Sequence, residues 1–521
     1  MSTSSWRINV REIDFSQTLA PVAGSTMATV VRADRGPTEP VYVSARNSQH
    51  IVDIFGIPTP DKPDIWEAIQ GNRESPIWIS APHDPSDHLA GVLVSTSGVD
   101  PFDEYEGVTQ GDVEQGNYSF DPDDYFILLA KSPSNTVFVG VQVAHSADTG
   151  FFTLTTYKTN DGGDTWTEVS EDLVSLDPDA RDGFGRNIYI EEVLDGNDFI
   201  QVVVNENANV TSFVDTTGIV ALEGGDRTDA DATMIATGWD YFKEVNTRKA
   251  DILFDNTKFP EVVDKFEELR DGYQVYSSYI LPLPMGEDWD DTITTKEGYG
   301  ISNRGLAFYW NHGLVRDTFS GRRFWTSLTG RVAIKYAQME NIFNGKAPSW
   351  IDENDHGGQL GGGIIKMEFD PSEDALRNLD SAGINPIVFT QNFGVMIVSQ
   401  RTAVSPTILS DDSWIGHSRL FDYILYNIVT FVLPYQITKL NDALHRSIAR
   451  SNATTILNPI VAEGLLAEAL AVCDTSNNTP EVLAQRQFVL SVFVKVTPFS
   501  ERIQLNFIKV GQNITIEELA A

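Results

Sequence analysis

Cysteine is nearly absent from this chain: Cys473 is the one thiol among 521 residues. A lone cysteine excludes an internal disulfide framework and suits a reducing compartment. Basic residues are scarce too, 37 Lys and Arg against 74 Asp and Glu, which leaves a formal charge of −37. That balance argues against general nucleic-acid binding, which needs cations to displace counterions from phosphate, and against anionic membranes. Long hydrophobic runs are missing. The longest, Ile424 to Leu433, holds Asn427 and stops at Pro434, too short to cross a bilayer. The opening Met1-Ser-Thr-Ser-Ser-Trp-Arg7 lacks the apolar centre of a secretory signal. Acidity of this size aids solubility and opposes random self-association, so ordered assembly has to rest on specific strand pairing and local charge complementarity.

Catalytic motifs are equally thin. No serine sits in a nucleophile elbow, and Cys473 has no histidine near it in sequence. The glycines at 357–363 lack a following Gly-Lys-Ser/Thr, and Gly345-Lys346-Ala347 lacks the hydroxyl, so neither is a phosphate loop. His83, Asp84, Asp87 and His88 are metal-ligand types set in an irregular loop by Pro82 and Pro85. Asp177, Asp179 and Asp182 approach a calcium loop with the third ligand out of register. Thr159-Asn160-Asp161-Gly162-Gly163-Asp164-Thr165-Trp166 matches the Asp-box pattern of sialidase-like propellers. A propeller needs it once per blade, and it occurs once here, so it reads as a tight hairpin turn. No cofactor or metal is called for, and the chain reads as non-enzymatic.

What is present is a globular composition, 41% hydrophobic and 10% aromatic, long enough for two to four domains. Residues 5–19 open with alternation: Trp6, Ile8 and Val10 on one side, Arg7, Asn9 and Arg11 on the other. This is either the first strand of the local fold or an arm that adds to another chain's sheet edge. Short strands are expected at Met27–Val31, Val41–Val43, Ile77–Ile79 and Val92–Val94, with a helix near Ile51 broken at Gly56 and Pro58. From about Asp100 to Asp231 the chain turns acidic, with strands at Phe126, Val137, Phe151, Ile188 and Phe199 spaced like an inserted all-β module. Ala250–Phe254, Pro260–Leu269 and Tyr276–Leu283 form a strand–helix–strand unit, and Trp325–Phe343 reads as mostly helix. In the last third a helix over Ser372–Ser381 stops at Gly383, and a hairpin turns at Asn392-Phe393-Gly394. Helices follow over Leu420–Val432, Gln436–Arg450 and Ile460–Leu470. The run Gln487–Val496 is apolar throughout, as in a strand covered on both faces, and Arg502–Ile508 alternates. Two such strands at the end of a large chain imply a sheet that neighbouring copies complete. Between Pro434 and Pro459 the only acid is Asp442, and Lys439, Arg446 and Arg450 fall on one face of a helix. That face is either solvated or a dock for an acidic partner.

The C-terminal pieces resemble the tail sheath proteins of contractile-tailed bacteriophages, especially the T-even-like lineage. The matching residues are Ala382-Gly383-Ile384-Asn385-Pro386-Ile387, Arg401-Thr402, Asn441-Asp442, the segment Val472-Cys473-Asp474-Thr475-Ser476-Asn477-Asn478-Thr479-Pro480, Phe488–Val496 and Ile503-Gln504-Leu505-Asn506-Phe507. Gly36-Pro37, Phe55-Gly56-Ile57-Pro58 and Gly238-Trp239 are weaker matches upstream. The resemblance implies an α+β, multidomain tail-sheath fold: an α/β core, an inserted all-β domain and strand-exchanging arms at both ends. It implies an N-terminal arm (1–20), a middle α/β domain (21–99 and 231–370), an outer β-rich insertion (100–230), an inner domain facing the tube (371–500) and a C-terminal arm (501–521).

It further implies hexameric rings stacked helically around a tail tube, with baseplate and tail terminator proteins as partners, in a virion assembled in the bacterial cytoplasm. Nucleic acid is not contacted directly and no membrane is entered. Carried onto this chain, strand exchange would use Trp6, Ile8 and Val10 of one arm, Ile503, Leu505 and Phe507 of the other, and Phe488, Leu490, Val492 and Val494 of the receiving strand. Each buried apolar side chain in such a joint is worth roughly 1.5–3 kcal/mol. Lys439, Arg446 and Arg450 become candidates for tube contact. A phage-derived bacteriocin sheath, physically the same object, and an Asp-box glycan-binding protein are the competing readings.

Overall fold

A computed structural model describes residues 25–102, 107–145, 151–205, 215–339, 349, 357–405, 410–437 and 439–498. It divides into two compact units, Met1–Leu425 and Tyr426–Ala521, with the division falling inside the helix Ile415–Phe431.

The first unit is built on an eight-stranded sheet. Its order is Val41–Val43, Ile77–Ser80, Met27–Val30, Ile252–Phe254, Ser278–Pro282, Leu306–Trp310, Ile384–Thr390 and Gly394–Ile397. The inner pairings are parallel and the two outermost are antiparallel. Parallel strands carry their connections over the faces, so both faces must be apolar. The side chains divide accordingly. Ile252, Phe254, Ile280 and Tyr309 enter one core layer, while Leu253, Tyr279, Leu281 and Phe308 enter the other. Pro260 starts the helix Pro260–Gly272 where a missing N–H costs nothing, and Val262, Val263, Phe266 and Leu269 turn inward. Phe266 meets Trp239 at 4.6 Å between ring centroids and Tyr279 at 5.1 Å, which fixes the helix over the second layer.

Charged groups are pinned inside this unit. The carboxylate of Asp422 accepts two bonds from Arg270 Nη2, at 2.8 and 2.7 Å, and one from Arg304 Nη2 at 2.7 Å, with Asp422 and Arg270 both buried. Glu67, also buried, accepts from Gly330 N at 3.0 Å and Thr326 Oγ1 at 2.8 Å, capping the helix Thr329–Met339 from a distant element. Position 330 must be glycine, since a Cβ there would lie 2.1 Å from the Glu67 carbonyl oxygen. Asp255 follows the strand Ile252–Phe254 and is fully enclosed, taking bonds from Thr257 Oγ1 and Lys258 N. Burial pushes its carboxyl up to about 6.

Two antiparallel four-stranded sheets fill the middle of the sequence. One orders Thr167–Ser175, Phe151–Lys158, Val139–His145 and Val220–Ala221; the other orders Ile200–Val204, Asp124–Ala130, Gly91–Ser95 and Gly98–Pro101. Phe126 and Phe152 stack between them, 5.6 Å apart. The chain enters and leaves this region side by side: Gly91 N donates to Glu223 O at 2.8 Å and Glu223 N returns a bond to Gly91 O at 3.3 Å. Arg227 seals the junction, its guanidinium donating to the carbonyls of Gly36, Ala81, Pro82 and Pro133.

Several local expectations are corrected. Trp325–Phe343 is helical over Thr329–Met339 as expected, but its opening is not: Arg323–Thr326 is a strand that buries Phe324 and Thr326. Ile188 makes no regular strand, and Ile190–Asp195 is helical. In the second unit a 3-10 turn at Pro434–Gln436 is followed by Asp442, which caps a helix beginning only at Ala443 and running to Ala462. Ile460–Leu470 is not one helix. Gly464, at φ 78°, ends the turn, and Leu466–Val472 is a strand because pairing with Ser491–Val496 outweighs the helix propensity of its alanines and leucines.

Candidate assembly interface

The second unit contains a sheet of two strands, Leu466–Val472 and Ser491–Val496, antiparallel from Leu466 opposite Val496 to Val472 opposite Ser491. Two strands alone are marginal in water, and each keeps one edge with no strand beside it among the described residues. Leu470 stands directly opposite Phe493, and the two are 59% and 60% exposed. The strand begins at Ser491, so the expected span from Gln487 shortens. Phe488 and Leu490 lie in the lead-in, while Val492 and Val494 are on the strand and half-buried. The expectation of cover on both faces also fails, because Phe493 and Lys495 face outward. Trp6, Ile8, Val10, Ile503, Leu505 and Phe507 lie outside the described residues.

The lead-in has no regular backbone partner and is held instead by the Asn-Asn pair of the connecting loop. Asn478, buried, donates from Nδ2 to Val489 O at 2.8 Å and accepts Val489 N at Oδ1 at 2.9 Å. Asn477 donates to Val472 O at 2.8 Å and Ser491 Oγ at 3.0 Å, bracing the first rung of the strand pair. Asn441 reaches across to Gln487 O at 2.8 Å. Val472–Pro480 is therefore a clamp that sets where the strand Ser491–Val496 starts. Its residue types follow from the need for side chains that both donate and accept.

The three basic candidates do not form one face. Lys439 precedes the helix, Arg450 is exposed, and Arg446 turns inward to donate to Asn441 O and Oδ1 at 2.8 and 2.9 Å. The cause is the Asp442 cap, whose carboxylate accepts His445 N at 2.9 Å and starts the helix after Lys439. The buried stripe is Arg446, Ala449, Ala453, Leu457 and Ile460. Outward stand Leu444 and Ile448, one turn apart, with Ile437 and Leu440 ahead of them, and Leu440 is 74% exposed. Sequence reading followed the charges and missed these apolar side chains, whose spacing of four was the available signal.

The other motifs are absorbed by the fold. Asp161 accepts Thr159 Oγ1, Thr165 Oγ1 and Thr165 N, bonds that hold its carboxyl far below the usual carboxylate range. Trp166 lies against Gly140 and Gly163, and Gly162 and Gly163 take φ values of 79° and 105°. The turn leans on the body through Arg35, which bonds Thr159 O and Asn160 Oδ1. Asp87 is committed to Thr228 N and Oγ1, and Asp182 to Phe184 N and Arg186.

No protein-family model matches the chain. Individual proteins do. The tail sheath protein of Enterobacteria phage T4 is 23% identical over 378 residues, 67% of this chain and 55% of that one. The tail sheath protein of Vibrio phage KVP40 is 21% identical over 376 residues, 67% and 54% of the two chains. The chain is similar to phage tail sheath proteins. It spans just over half the length of these sheath relatives. Among solved structures, the sheath tail protein from Listeria innocua aligns over 91% of this chain and 95% of its own, with a TM-score of 0.55 at 11% identity. The sheath tail protein from Desulfitobacterium hafniense aligns over 90% and 94%, with a TM-score of 0.53 at 11% identity. The α+β, multidomain architecture is thus the sheath fold.

Proposed function

We propose that this chain is a structural, non-enzymatic subunit of a contractile phage tail sheath. Copies polymerise as stacked hexameric rings around a tail tube and contract to drive the tube through the host envelope during genome delivery. The observation that carries this is the two-stranded sheet of the second unit, which among the described residues leaves an edge on either side and an exposed Leu470–Phe493 pair. The alternating segments around Trp6–Val10 and Ile503–Phe507 have the pattern of strands that add to such edges, each ladder bond contributing about 1 kcal/mol. A joint of this kind persists while the ring-to-ring contacts around it are exchanged, and the energy comes from packing rather than from a nucleotide. The partners are other copies of the chain, a tail tube protein, and baseplate and terminator proteins. The exposed Lys439 and Arg450 stay the proposed tube-side contact, without Arg446, which turns inward to Asn441. No helix among the described residues is long and apolar enough to cross a membrane.

Deleting residues 1–14 tests the reading. The purified variant should keep its melting temperature and form no tubules in negative-stain micrographs, whereas the full chain forms them. Tubules from the truncated chain would refute strand exchange through that arm.

A further inference from the structure

A three-stranded sheet in the first unit orders Arg323–Thr326, Gly313–Arg316 and Ile364–Met367. Val315, Phe324 and Met367 point inward and join the core. Alternation sends Leu314 and Arg316 of the central strand to the other face. Arg316 is paired directly with Arg323, and Leu314 with both Trp325 and Lys366, so all five side chains share that outer face. Arg316, Arg323 and Lys366 are exposed, with exposed Arg322 beside them. Leu314 and Trp325 are half-buried between the cations.

Like charges placed opposite each other across a ladder work against the sheet. None of the four cations has an acidic partner within ion-pair distance among the described residues. Among the described residues their side chains make one hydrogen bond, from Arg316 Nε to the Gly321 carbonyl at 3.3 Å. The acid in the turn, Asp317, is buried and already accepts Phe319 N and Ser320 N. A chain with 37 basic residues against 74 acidic ones therefore gathers four unneutralised cations around a tryptophan on one small sheet. A local rule broken without local compensation marks a functional surface.

We propose that this Arg316–Arg323–Lys366 face docks an acidic surface of a second copy of the chain. Charge selects the partner. At a formal charge of −37, two copies repel at long range and present mostly carboxylates to each other, so a concentrated basic face with an aromatic centre is the complement that close approach requires. The inference rests on the self-assembly reading but not on the terminal arms, since every residue of the face lies between Leu314 and Lys366.

The test compares the full chain with Arg316→Glu/Arg323→Glu and with the charge-keeping Arg316→Lys/Arg323→Lys. Assembly is scored by sedimentation and micrographs from about 0.05 M to about 0.5 M salt, across which screening becomes strong. All three proteins should melt alike, because the substituted side chains are exposed. The wild type and the lysine variant should assemble, increasingly weakly as salt rises, and the glutamate variant should stay in the supernatant at least tenfold more than wild type. A glutamate variant that assembles as well as wild type overturns the proposal. So does one that assembles normally while losing affinity for a single-stranded oligonucleotide, which would make the face a nucleic-acid site. A wild type that never assembles would instead overturn the sheath reading itself.

Discussion

Replacing Asn478 with Asp keeps the shape of the clamp and removes its donor. In the native chain Nδ2 bonds Val489 O at 2.8 Å, while Oδ1 accepts Val489 N at 2.9 Å. The aspartate retains the second bond and sets a carboxylate oxygen against the Val489 carbonyl. Losing one net hydrogen bond costs about 1 kcal/mol, and leaving the half-buried Val489 carbonyl facing a carboxylate costs about 1–3 kcal/mol more. The local clamp should weaken by about 2–4 kcal/mol, roughly a 30- to 900-fold rise in the open population. Hydrogen exchange on the unassembled chain reads this directly. Peptides covering 487–496 and the paired strand Leu466–Val472 should exchange faster by that factor, while peptides from the eight-stranded sheet should not change. Tubule formation should fall in parallel if, as proposed, this strand is offered to a neighbour, because it no longer starts at a fixed residue. Unchanged protection at Val489 and across Ser491–Val496 would refute the reasoning, since the clamp would then not be what holds the strand in place.

Asp422→Ala leaves the guanidinium of Arg270 buried and that of Arg304 without its carboxylate. Unfolding of the first unit in urea should lose about 3–5 kcal/mol, and a loss below about 1 kcal/mol would show that the charges are resolvated in place. Asp255 should make stability fall with rising pH. Its folded carboxyl titrates at about 6, above the unfolded value of about 3.9, so the neutral form favours the fold. That contribution is complete below about pH 4 and is lost as pH rises through about 6, a change of about 3 kcal/mol by neutrality. Asp255→Asn, measured by urea unfolding at each pH, should gain on wild type by about that amount between about pH 4 and 7. A difference that does not vary with pH would exclude the carboxyl as the cause.

Where local chemistry and long-range pairing agree, the fold was readable in advance. Ile252–Phe254, Pro260–Gly272 and Ser278–Pro282 announce themselves through an apolar run, a proline at a helix start and a second apolar run. Gly56, Gly383 and Gly394 mark stops and a turn, and each takes a positive φ. Failures came where a distant partner decides. Leu466–Val472 has alanines and leucines that favour a helix, and only the strand at 491–496 makes it extended. Arg446 counted as surface charge until Asn441 drew it inside. In the assembly interface, the apolar ladder at 492–494 was visible as a strand, but its start was hidden, because it depends on side-chain bonds from Asn478 across a loop. The Arg316, Arg323 and Lys366 face had no sequence signal at all. Fifty residues separate its ends, and only strand register brings them together.

The neighbouring strand ends at Gly91 and Glu223 have one more consequence. A chain that departs and returns through adjacent doorways hides from its host whatever length it travels in between. The body of this molecule can therefore take a longer or shorter chain between those ends, provided that the groups leaning across, Arg35 on Thr159 and Asn160, Asp53 on Lys158 and Arg227 on Pro133, keep a partner. Under the proposed sheath function, the middle segment and the eight-stranded body could then change at separate rates.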